Sequence, residues 1–70
     1  MRYAVVIEQA NGNYSAYVPD LPGCVATAKT RDEVERNMYE AIEMHVHGLL
    51  GDKLPVPEST SFAEYIAIPA

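Results

Sequence analysis

Seventy residues, 49% hydrophobic and 21% charged, make an ordinary globular chain, neither disordered nor collagen-like. No apolar run approaches the roughly 20 residues that cross a bilayer, and no basic stretch precedes an apolar leader, so a soluble, cytoplasmic protein is expected. Five Lys and Arg against ten Asp and Glu give a net charge of −5, the wrong sign for a surface that must neutralise phosphates, so direct nucleic-acid binding by this chain alone is not expected.

Arg2 to Gln9 (RYAVVIEQ) is rich in β-branched and aromatic residues and ends at Asn11-Gly12, a pair tolerant of positive φ; Tyr14 to Val18 (YSAYV) follows. Two strands around an Asn-Gly turn predict a hairpin. Pro19-Asp20-Leu21-Pro22-Gly23 interrupts the β pattern, because neither proline can donate to a ladder. Cys24 to Ala28 reads as a third, short strand. Thr30-Arg31-Asp32-Glu33 has the form of a capping box and predicts a helix start. Val34, Met38, Ala41, Ile42, His45 and Leu49 then share one helical stripe, and Gly48 or Gly51 is positioned to end it. Asp52 to Glu58 carries two prolines and reads as an extended loop; Ser61 to Ile68 (SFAEYIAI) reads as a last strand.

The expected class is α+β with the order β-β-β-α-β. A right-handed crossover sets the fourth strand parallel to the first, giving a four-stranded mixed sheet of order 3-2-1-4 with one helix on one face. The first strand is apolar on both sides, so the uncovered face is expected to meet another chain. Size argues the same way. Scaling laws allow a chain of this mass about 4,300 Å² of folded surface against about 11,200 Å² unfolded, a marginal core. A lone Cys24 cannot make an intrachain disulfide and the two histidines offer no zinc pattern, so oligomerisation is the remaining support. Tyr3, Val5, Ile7, Tyr17 and Tyr65 are the self-association candidates.

Catalysis is not expected, nor any metal or cofactor. Two-metal hydrolysis needs converging carboxylates, and the strands offer only Glu8 and Glu64, which read more simply as edge or solvent-facing residues; a small metal-dependent nuclease is the weakest alternative. His45 and His47 are about 200° apart around a helix and cannot grip one ion. His45 reads as a half-buried ring and His47 as exposed. Cys24 reads as a small buried residue rather than a nucleophile. The acids are uneven: residues 1–30 are net neutral and residues 31–70 carry the whole −5. That face serves solubility or the docking of a basic partner.

At Asp20-Leu21-Pro22-Gly23-Cys24 the chain resembles the HicB-like antitoxin family. The likeness also takes in the RYAVVIE strand, Tyr14 to Val18, Thr30 and the helix residues Glu40-Ala41-Ile42-Glu43, and it covers roughly residues 2–68. The resemblance implies that residues 1–70 form a single HicB-like domain of partial ribonuclease-H-like fold, which assembles into dimers or larger oligomers. It further implies an antitoxin that binds and neutralises a small basic HicA-type toxin, a ribonuclease that cleaves messenger RNA. Asp20, Glu35, Glu40 and Glu43 are the candidate contacts for such a basic partner. Many family members carry a following DNA-binding segment that this sequence does not show, so operator binding is not expected. An orphan HicB-like domain that works in homo-assembly or with another partner is the alternative. For Asp20-Leu21-Pro22-Gly23, simple turn chemistry competes with a partner-contact role.

Overall fold

The computed structural model describes all of residues 1–70. It is an α+β fold in which three antiparallel strands, β1 (Val6–Ala10), β2 (Asn13–Tyr17) and β3 (Val25–Ala28), form a sheet of order β1-β2-β3, followed by one helix, α1 (Arg31–Gly51). Asn11 and Gly12 both have positive φ, 51° and 79°, and close a two-residue hairpin between the paired Ala10 and Asn13. This is the turn whose twist matches that of the flanking strands.

The register sorts the sheet into two faces. On one, Ile7, Ala16 and Ala26 form a row beside Gln9, Tyr14 and Ala28. Except for Gln9, these side chains belong to or pack against the buried cluster of Ala16, Val18, Leu21, Cys24, Val34, Met38 and Val46. The opposite face carries an apolar row, Val6, Tyr17 and Val25, and a polar one, Glu8, Ser15 and Thr27. Tyr17 and Val25 are 41% and 63% exposed there. The uncovered face is therefore only half apolar.

Thr30 caps α1 by accepting a hydrogen bond from the Glu33 amide at 3.1 Å, which satisfies one of the orphan donors of the first turn. The reciprocal half of the box does not form. Val34, Met38 and Val46 are buried, and Ala41, Ile42, His45 and Leu49 are half-buried behind them. Gly48 lies within the helix and Gly51 is its last residue, but the left-handed turn that stops it falls on Lys53, φ 56°. There the amides of Lys53 and Leu54 bond back to the carbonyls of Leu50 and Leu49, a Schellman closure built without glycine.

Two expectations about the sheet change. The first strand begins at Val6 rather than Arg2: in the register of β1 and β2 the next hydrogen-bonded rung beyond Val6–Tyr17 pairs Ala4 with Pro19, which has no amide to donate, while the Val18 amide faces the other neighbour and bonds the Cys24 carbonyl. The sheet has three strands, not four. Residues 55–70 make no backbone-to-backbone hydrogen bond, and Ser61 to Ile68 does not enter the sheet. A strand exists only through pairing, so its alternation alone did not secure it. No helix is long and apolar enough to cross a membrane.

Candidate functional site

The loop joining β2 to β3 is built from two successive tight turns. The Leu21 amide donates to the Val18 carbonyl across Pro19-Asp20, and the Cys24 amide donates to the Leu21 carbonyl across Pro22-Gly23. Proline followed by a residue of positive φ, here Gly23 at 82°, is the type II arrangement. The double turn rolls the Leu21 side chain fully into the core and buries Cys24 beside it, while Pro22 stays outside. Leu21 is thus a packing residue with no surface to offer a partner. Burial raises the Cys24 thiol above its ordinary pKa, which favours the inert protonated form.

Asp20 sits at the same bend and reaches 40 residues along the chain. Its Oδ2 accepts the backbone amides of Thr60 and Ser61, both at 2.9 Å, and its Oδ1 accepts the hydroxyls of Ser61 and Thr60 at 2.8 and 3.2 Å. Hydrogen bonds to the charged form favour it. The Ser61 amide and hydroxyl, aided by Thr60, hold the Asp20 carboxyl below its ordinary pKa against a smaller opposing effect of desolvation. The carboxylate is therefore a clamp on the segment that follows Pro57. A second tie lies nearby, where the Tyr3 hydroxyl donates to the Pro57 carbonyl.

The other acids named in the sequence lie along α1. Glu35 pairs with Arg31 at 3.1 Å on the surface, whereas Glu40 and Glu43 are exposed and make no hydrogen bond or ion pair. Glu8 faces the open side of the sheet opposite Ser15, and Glu64 lies in the unpaired segment. No group of three or more His, Cys, Asp or Glu side chains is placed to hold a metal ion.

The self-association candidates separate into three places. Tyr17 lies on the open face. Tyr3, Val5 and Ile7 turn to the helix side, where they are half-buried, and Tyr65 is fully exposed beyond the clamp. On that helix side α1 packs over β3 and β2 but not over β1. A notch is left between α1 and β1, missed by sequence reasoning because spacing cannot reveal a gap. One part, about 320 Å³, is lined by Val5, Ile7, Met38, Tyr39 and Ile42 with Glu35 at its border. The adjoining part, about 400 Å³, shares Tyr39 and Ile42 and adds Met1, Tyr3 and Val46, with Glu43 and His47 at the rim.

Comparison with known proteins places this arrangement. Residues 3–70 match the family described as HicB_like antitoxin of bacterial toxin-antitoxin system. The chain is 39% identical over 69 residues to an uncharacterised 14.9 kDa protein of Haemophilus phage HP1, covering 99% of this chain but about half of that protein, 52%. It is 35% identical over 71 residues to a UPF0150 protein of Thermoplasma acidophilum, covering the whole of both. Among solved structures it superposes on a chain of a HicA3 and HicB3 toxin-antitoxin complex with a TM-score of 0.71 at 25% identity, covering 84% of this chain and 70% of that one. With the fold and nearly every residue accounted for, the chain belongs to the HicB-like antitoxin family.

Proposed function

We propose that this protein acts by direct complex formation, binding a small basic HicA-type ribonuclease and blocking its access to messenger RNA. The observation that carries the reading is the full-length family match together with the likeness to a chain of a toxin-antitoxin complex. Surface charge supports it. The −5 is concentrated after residue 30, and Glu40 and Glu43 stand on α1 with no internal partner to neutralise them. Such a surface steers a cationic partner and competes with RNA for it. Asp20 and Glu35 are less available, since each already has a partner within the chain. In this reading the protein is a binding module rather than a catalyst, works in the cytoplasm, and does not itself contact nucleic acid.

Co-expression with a HicA-like toxin encoded beside its gene tests the proposal. Growth should be rescued and the two proteins should co-purify; Glu40→Lys with Glu43→Lys should weaken the complex and make its salt dependence shallower. Undiminished toxicity with no complex would remove the function.

A second reading, homo-assembly, is favoured by a separate observation. The accessible surface is 5732 Å², against about 4,300 Å² for a folded chain of this mass. The excess, roughly 1,400 Å² per chain, falls in the range that each partner of an obligate dimer buries.

A further inference from the structure

The notch between α1 and β1 has the place, and the lining, of a missing strand. The outer edge of β1 presents unpaired amides and carbonyls. Beside it Val5, Ile7, Tyr39 and Ile42 offer an apolar floor and wall that nothing fills. The other free edge, β3, has α1 packed directly over it.

The chain also contains an unplaced strand. Beyond the Asp20 clamp, Phe62, Tyr65, Ile66 and Ile68 are 76% to 101% exposed, although the stretch has the composition of a buried strand. Its backbone groups are unpaired as well. Within its own chain the segment runs close by: Phe62 and Ala63 border Arg2 to Ala4, and Tyr65 borders Val5, Ile7 and Gln9. Passing there, it neither pairs with β1 nor buries its side chains. The radius of gyration, 13.9 Å, exceeds the roughly 11 Å of a compact chain of this length.

We propose that two copies of this chain exchange Phe62–Ile68, each segment adding to the β1 edge of the other copy and filling the notch beneath its helix. The occupant is a second copy because the surface left over per chain matches what an obligate dimer partner buries, and because donor segment and acceptor notch occur on every copy. A reciprocal exchange about a two-fold axis satisfies both at once and leaves no open end to polymerise. Main-chain hydrogen bonds to the edge supply affinity, and the apolar wall of α1 supplies specificity. The exchange completes the order 3-2-1-4 with a strand from the partner, and the clamp at Thr60 and Ser61 fixes where the crossing begins.

The test uses the isolated protein and no toxin, so its outcome is independent of the antitoxin reading. Sedimentation should give a dimer at micromolar concentration. In a mixture of ¹³C-labelled and unlabelled copies, isotope-filtered NOEs should connect Ile66 and Ile68 on one copy with Val5, Ile7 and Ile42 on the other. Ile66→Asp with Ile68→Asp, at positions outside the core of the single chain, should raise the dimer dissociation constant at least about tenfold and leave the helical circular dichroism intact. A monomer, a dimer lacking those cross-chain contacts, contacts found only within one chain, or an unchanged dissociation constant would each overturn the proposal.

Discussion

Between Ala16 and Met38 lie six of the seven buried residues of this protein, whereas Met1–Ser15 and His47–Ala70 contain none. The first region closes on itself: two turns fold the β2–β3 loop under α1, Thr30 starts the helix, and Leu21, Val34 and Met38 meet with almost no surface left over. The second region has comparable apolar content, but its local devices, the Asn11-Gly12 hairpin and the Lys53 closure, leave none of its residues fully buried. A buried core therefore depends less on how many apolar residues a segment holds than on whether short-range turns and caps bring them against a neighbour. Where they do not, as beyond the Asp20 clamp, the apolar side chains stay exposed in the single chain.

Leu21→Ala strikes the first region hardest. Removing a fully buried leucine costs about 2–5 kcal/mol, comparable to the roughly 3–5 kcal/mol that a core of this size supplies. Urea unfolding at fixed protein concentration should find the variant largely unfolded. Leu54→Ala, at a position 51% exposed just past the helix, should shift the midpoint little. Equal losses at the two sites would erase the contrast.

Two glycines sharpen the comparison, because one substitution should act with opposite signs. At Gly23 a Cβ meets nothing within 4 Å, yet φ is 82°, so Gly23→Ala strains the backbone of the loop that seats Leu21. The expected loss is about 1–2 kcal/mol. At Gly48 a Cβ also meets nothing, but the residue lies in the helical backbone of α1. Gly48→Ala should therefore gain about 0.5–1 kcal/mol, read as a rise in melting temperature.

What could be read from the sequence divides by the distance between partners along the chain. The hairpin turn at Asn11-Gly12, the cap at Thr30 and the buried positions Val34 and Met38 are written in residues no more than four apart, and each was legible. The short β3 also survived, trimmed by one residue. The first strand was overextended because its next rung beyond Val6–Tyr17 falls on Pro19, which has no amide, and that register is visible only once the hairpin is folded. The last strand was misplaced because alternation in SFAEYIAI states which side chains want burial, not where a neighbour lies. Of the site, the Pro-Asp-Leu-Pro-Gly motif was legible as a turn and as a family mark. The task of Asp20 was not, since its partners Thr60 and Ser61 lie 40 residues away and only the folded chain brings them together.

That clamp joins the two regions, and its pH dependence is the finest test of their difference. The Asp20 carboxyl lies below its ordinary value because the Ser61 amide and hydroxyl, and then Thr60, bond the charged form. A group depressed in the folded state contributes its full effect above its unfolded pKa and loses it as pH falls through the lower, folded one. Thr60 and Ser61 should therefore stay anchored from neutrality down through the usual carboxylate range and let go only in stronger acid. Their amide ¹⁵N shifts and hydrogen-exchange protection should change there while those of Leu21 and Met38 hold. Asp20→Asn weakens the acceptors at every pH, so in that variant the two amides should exchange faster at neutrality and lose the acid transition. If they do not respond, the carboxylate is not what fixes the segment, and the Tyr3 hydroxyl on the Pro57 carbonyl together with the packing of Val56 against the core holds it instead.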